Sequence, residues 1–389
     1  MTASPIFAVQ YLESLHPGAT PNAVRRHLRQ ACERLPISLV LLGWELPPAI
    51  EEAVAEETTR QNAQLFRWQP LLTGDAHTNL PPEWATFGPG GDPISGHDGL
   101  PEFTFICPNR SAVVDFLTER VESAAVSGLF QGLFLDRIRF PSPSIDPLRD
   151  LACFCKHCTR KAADTGLDLE SVRRYIQSIP AEAIIRSLLG APAEAGSPLE
   201  SFLDFRASSI TRTVRMVAKR ANTLNLSIGL DCFSPALTRM VGQDLLALDG
   251  FADWVKIMTY PRVFGPAGIP FEFLNLAEWL TQLGLDEIEA LHLLADACGL
   301  PVPINKAELG CAGLGSETIT QEIRRGYELG VTNLLAGIAV VIKEKVHESS
   351  PKQIQTDLKA SRNADGLVIS WDLWHTPLEY LDEIRTLWS

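Results

Sequence analysis

Residues 132–143 read Gly-Leu-Phe-Leu-Asp-Arg-Ile-Arg-Phe-Pro-Ser-Pro. Strand alternation puts Phe134 and Asp136 on one face and Leu133 and Leu135 on the other. With the leucines against helices, Asp136 projects inward at the end of the strand, beside Arg137 and Arg139, whose charges favour a carboxylate. The plainer alternative is a structural Asp–Arg pair. A second carboxylate ends the run Ser227-Ile-Gly-Leu-Asp231, in which Ser227 and Gly229 share its face; the alternative there is an Asp capping the turn before Ser234-Pro235. Glu272, closing Gly-Pro-Ala-Gly-Ile-Pro-Phe-Glu, is a reserve acid or base on a loop after the sixth strand, and Glu45 and Asp372 are weaker candidates. Two carboxyl groups in unlike environments are what glycosidic bond cleavage needs: one protonates the leaving oxygen and the other acts as nucleophile or base.

Aromatic residues fall at the same strand ends: Tyr11, Trp44, Trp68, Tyr260, Trp371 and Trp374. The C–H faces of a sugar ring suit such platforms, although any one of them alone reads as core. Cys153-Phe-Cys155-Lys-His157-Cys158 offers three thiols for a structural zinc, with Cys107 or His157 as fourth ligand, against the alternative of reduced thiols packing a loop. No cofactor is expected for catalysis. Lys256, inside the sixth strand, raises a rival chemistry, the Schiff-base lysine of a class I aldolase, against the commoner ion pair across a barrel. A non-catalytic sugar-binding barrel is the other rival. Dinucleotide, phosphate-loop, nucleophile-elbow and His-Glu-x-x-His motifs are missing.

Eight apolar, β-branched or aromatic runs must position these groups: 7–11, 38–44, 65–71, 132–138, 226–231, 254–260, 333–340 and 366–372. Helix-period segments follow nearly all of them, so the expected fold is α/β, a (β/α)8 TIM barrel in one domain over residues 1–389. Pro301–Leu309 reads as a loop entering a helix, because Pro301, Pro303 and Gly310 punctuate it. The last helix opens with Thr376, Pro377 and Glu379, a capping-box pattern. Two long insertions, 74–108 and 141–205, leave from the C-terminal face, where barrel active sites lie.

The chain has 389 residues, 46% of them hydrophobic and 21% charged, ample for one large core. A net charge of −13 argues against nucleic acid or an anionic membrane as partner. No basic stretch with an apolar export segment opens the chain, so a cytoplasmic location is expected, with reduced or metal-bound cysteines.

Leu-Asp-Arg-Ile-Arg-Phe-Pro after the fourth strand, Asp-Trp-Val-Lys-Ile-Met-Thr-Tyr at the sixth and Val-Ile-Ser-Trp-Asp at the eighth resemble glycoside-hydrolase-like barrels. More distantly they are similar to family 18 chitinases, which share a Met-x-Tyr and a Trp at those strands. The resemblance runs from about Phe7 to Trp388. It implies a carbohydrate substrate, Asp136 as nucleophile or acid, and sugar contacts from Tyr260 and Trp371. Trp44, Glu45, Arg137, Arg139 and Asp372 complete the expected substrate-contacting set. The chitinase run of spaced acids ending in Glu is absent, since Arg-Ile-Arg follows Asp136. The seventh strand also ends without the Glu that many retaining barrel hydrolases carry there, which leaves the partner of Asp136 open.

Overall fold

A computed structural model describes residues 5–74, 80–97, 100–192, 194–303, 305–342, 346–347 and 350–388. Eight parallel strands close into a barrel in sequential order: β1 (Ile6–Tyr11), β2 (Leu39–Leu42), β3 (Gln64–Pro70), β4 (Gly132–Asp136), β5 (Ser227–Cys232), β6 (Trp254–Met258), β7 (Leu334–Ala339) and β8 (Gly366–Ser370). The expected (β/α)8 architecture is therefore present, and β8 pairs β1 to close it. Residues 301–303 form no strand, and Asn305 caps a helix over Lys306–Ala312. In the last helix, Glu379–Trp388, the expected capping box gives way: the Thr376 hydroxyl donates to the Asp372 carbonyl instead. No described helix is long and apolar enough to cross a membrane.

Alternation divides the strands into two cores. Val9, Val40, Leu65, Leu133, Leu135, Ile228, Leu230, Val255 and Ile257 face the helices. Ala8, Leu39, Leu41, Phe66, Trp68, Phe134, Trp254, Leu335 and Val368 fill the barrel. Large rings need empty neighbours, and glycines supply them. A Cβ on Gly132 would sit 2.4 Å from the Phe66 ring, one on Gly229 2.1 Å from Trp254, and one on Gly337 2.5 Å from the Lys256 stem. The polar inward residues Gln10, Asp136, Asp231 and Lys256 come above this apolar plug, toward the C-terminal ends of their strands.

Both insertions leave the mouth of the barrel; residues 75–79, 98–99 and 193 within them lie outside the described residues. The first is laced by antiparallel bridges, Thr73 to Phe105, Ala85 to Ile106 and Phe87 to Pro93. The second holds helices over Pro147–Asp150, Lys156–Ala163, Leu169–Ser178 and Ala181–Leu188. The helix that returns to β5 begins inside the expected insertion, at Pro198, and runs unbroken to Thr223. Ser197 caps it through the Glu200 amide, and proline suits a first turn.

Candidate active site

At the mouth, Asp136 is 8% exposed and held from two sides. Its Oδ2 accepts from the Trp68 indole at 3.0 Å and its Oδ1 from the Arg137 amide at 2.5 Å. Arg137 follows with φ +53°, a left-handed turn that ends the strand abruptly. Its guanidinium donates to Thr73 Oγ1 and the Glu102 carbonyl, with its Nε 4.0 Å from Asp136. It lies against the Trp44 and Phe103 rings, 5.5 and 5.2 Å from their centres.

Asp231 projects from β5 into the same cavity, which measures about 230 Å³ and is lined also by Gln10, Glu13, Trp68, Arg137, Arg139, Met258, Pro266 and Trp371. Its Oδ2 accepts from Lys256 at 2.9 Å, while its Oδ1 is buried without a hydrogen-bond partner. Gln10 accepts from the same ammonium at 3.0 Å, which leaves its own amide nitrogen unpartnered. Two unmatched polar atoms at the floor of a cavity are what a hydroxyl-rich ligand would satisfy.

Electrostatics separate the two acids' neighbours. Burial pushes the Asp231 carboxyl up to about 7, and the nearby Asp136 adds to this, while Lys256 and Arg139 oppose it. Burial works against the Lys256 charge, yet Asp231 and Tyr260 hold its ammonium above the ordinary lysine value. A Schiff-base lysine needs the opposite shift, and the geometry is that of an ion pair between β5 and β6. Arg139 lies between the rings of Phe105 and Phe233, 4.4 and 4.5 Å from their centres. Burial draws it down to about 10, against the pull of Glu272 and Asp136, so it stays a cation at neutral pH.

Other expected site residues are placed differently. Glu272 is in the first turn of a helix, Ile269–Gln282, rather than on a loop, since Gly268 caps that helix and Pro270 fits its start. Its oxygens accept from the Ala267 amide and the Ser142 hydroxyl. It lines a second cavity of about 330 Å³, beside the first, and the two share Phe103, Arg139 and Pro266. Trp44 is packed edge-on against Trp68 inside the barrel plug, and Glu45 is exposed with φ +57°. Tyr260 is buried beneath Trp371, edge to face at 5.8 Å, so Trp371 is the ring that reaches the cavity.

Asp372 stands apart from the sugar contact expected of it. Its oxygens accept from the amides of Leu12, Glu13 and Trp374, and His16 Nε2 lies at 2.6 Å. That set clamps the end of β8 onto the turn after β1. Leu12 takes φ +53° there, and Gly43 packs so close that a Cβ would fall 1.8 Å from the Leu12 carbonyl.

Sequence reasoning missed Gln10, Phe103, Phe105 and Pro266. Gln10 left a readable signal, a polar residue sharing the inward face with Ala8 in an otherwise apolar strand. The others gave none, because the first insertion, which carries Phe103 and Phe105, and the loop after β6, which carries Pro266, have no period.

Solved structures of similar shape were found along the whole chain. The glycoside hydrolase domain of PgaB (BpsB) from Bordetella bronchiseptica superposes with a TM-score of 0.55 at 12% identity, covering 98% of this chain and 99% of that one. The catalytic domain of β-amylase from Paenibacillus polymyxa gives 0.55 at 10% identity, covering 98% and 95%. A class V chitinase from Pseudomonas fluorescens Pf-5 gives 0.52 at 11%, covering 99% and 100%. The likeness is one of fold. No family model and no curated protein matches the sequence. The expected resemblance to glycoside-hydrolase barrels, chitinases among them, thus extends over the whole chain at the level of architecture.

Proposed function

We propose that this barrel hydrolyses a glycosidic bond in the cavity that Asp136 and Asp231 share. One observation carries the reading: two carboxyl groups from adjacent strand ends line one pocket, with Trp371 at its wall and unmatched polar atoms at its floor. Asp136, oriented by Trp68 and the Arg137 amide, acts as nucleophile or base. Asp231, which holds its proton to about pH 7, supplies the acid. Glu272 serves the neighbouring cavity as a sugar contact through Arg139 and Ser142. The volume of the cavity between Asp136 and Asp231, about 230 Å³, is below the roughly 300–1,000 Å³ of drug-sized ligand pockets, which suits one sugar ring at a time. The protein would work as a cytoplasmic enzyme on a carbohydrate, without nucleic acid or membrane.

The test is a panel of nitrophenyl glycosides and oligosaccharides, first with the native chain and then with Asp136→Asn. Turnover should fall by about three orders of magnitude or more while the fold and substrate affinity persist. Sugar binding by the native chain with no turnover on any substrate would make it a binding barrel. An unchanged kcat in Asp136→Asn would remove Asp136 from the chemistry.

A further inference from the structure

Outside the sugar pocket, the two insertions bring four cysteines together. The sulfurs of Cys107, Cys153, Cys155 and Cys158 all lie within 4.8 Å of one another, and all four residues are buried. Cys107 is 3.4 Å from Cys158 and 3.5 Å from Cys155, far beyond a disulfide bond. A tetrahedral zinc with Zn–S bonds near 2.3 Å sets its sulfurs about 3.8 Å apart, within this spread. An iron–sulfur cluster, which binds its cysteines through different irons, needs a wider opening.

Two surroundings point the same way. The Phe87 amide and the Asn109 side-chain amide both point N–H groups at the cluster, at Cys153 and Cys158, as donors around thiolate ligands do. Arg206 is fully buried, forms no ion pair with a carboxylate among the described residues, and lies one helical turn before Ser209, whose hydroxyl accepts from the same Asn109 that donates to Cys158. A buried guanidinium without a counter-charge is costly, and a four-thiolate zinc centre carries a net charge of about −2, which compensates it.

We propose that Cys107, Cys153, Cys155 and Cys158 bind one structural zinc ion that ties the first insertion to the second. His157 lies next to the group but is not part of it. The tie bears on the sugar site. Phe105, two residues before Cys107, covers Arg139, and Asp150, three before Cys153, lines the second cavity. The Phe154 amide also donates to the Phe87 carbonyl, so the two insertions meet again beside the metal ligands. The zinc therefore fixes the wall of the second cavity and takes no part in bond cleavage.

The full chain, purified without added metal, should carry about one zinc by elemental analysis, and zinc-edge X-ray absorption should show four sulfurs at about 2.3 Å. Cys158→Ser should lose about nine-tenths of the metal, and His157→Ala should keep it. Because a cysteine variant can simply misfold, the native chain supplies a second measurement. A mercurial titrated against the thiols should release zinc to a chromogenic chelator as these four sulfurs react. Proteolysis should then quicken within 74–108 and 141–205 before it touches the barrel. Protein that is metal-free as purified and takes up no zinc at micromolar concentration would overturn the proposal. So would bound iron, or a nitrogen ligand in the absorption spectrum.

Discussion

Replacing Lys256 with methionine keeps the volume of the barrel plug and removes one charge from a fully buried pair. Asp231 is then left against Gln10 and the cavity floor, and breaking a buried pair from one side costs about 3–5 kcal/mol. The cost must depend on pH, and the direction follows from the carboxyl. Folding raises Asp231 to about 7, so the stability it contributes is complete below the ordinary aspartate range and is lost as pH rises toward 7. In the native chain that loss levels off near 7. Without the Lys256 charge the folded carboxyl titrates higher, and the loss continues at about 1.4 kcal/mol per pH unit. The penalty of Lys256→Met, from urea midpoints, should thus be larger at pH 8 than at pH 6, by about 1 kcal/mol. In Asp231→Asn/Lys256→Met the difference should vanish. Equal penalties at the two pH values, or the same slope in the double variant, would refute the account of Asp231 as a carboxyl raised by burial and held down by Lys256.

Trp68→Phe deletes the indole donor to Asp136, and one hydrogen bond to a charged acceptor is worth about 1.5–3 kcal/mol, or a fall of about 10- to 150-fold in kcat with KM little changed. An unchanged kcat on a confirmed glycoside would show that this bond does not orient the reacting group. Asp372→Ala strips acceptors from three backbone amides and should cost about 3 kcal/mol or more in stability, with KM unaltered. A raised KM at native stability would return Asp372 to substrate contact.

How much the sequence disclosed follows from where each residue's neighbours lie. Asp136 and Asp231 were legible because strand alternation and position at a strand end decide which way a side chain points, and both are local. The pairing of Asp231 with Lys256 was half visible: the lysine stood out in an apolar strand, but its partner required the register of β5 against β6. Asp372 misled for a related reason. An aspartate at the end of the eighth strand has the address of a functional group, yet its donors, the Trp374 amide apart, come from residues about 360 positions away. Around Glu272, Gly265, Gly268 and the prolines signal irregular chain in the sequence, whereas Gly268 and Pro270 here start a helix. In the sequence Cys107 is one of two possible fourth ligands, because the spacing of Cys153, Cys155 and Cys158 carries no information about a thiol on the other insertion.

The ring-and-glycine contacts inside the barrel constrain how this chain can diverge. Phe66 lies in register with Gly132, Trp254 with Gly229, and the Lys256 stem fills the space above Gly337. Each glycine is neutral only while its partner stays large, and each large residue is tolerated only while the glycine stays bare. Enlarging one side alone forces overlap, and shrinking the other alone opens a void. Homologues should therefore differ at these positions by coordinated exchange, a smaller ring arriving with an alanine or serine opposite. In a deep mutational scan each glycine would score as intolerant, and its tolerance would return only in a background where the facing side chain had already been cut back.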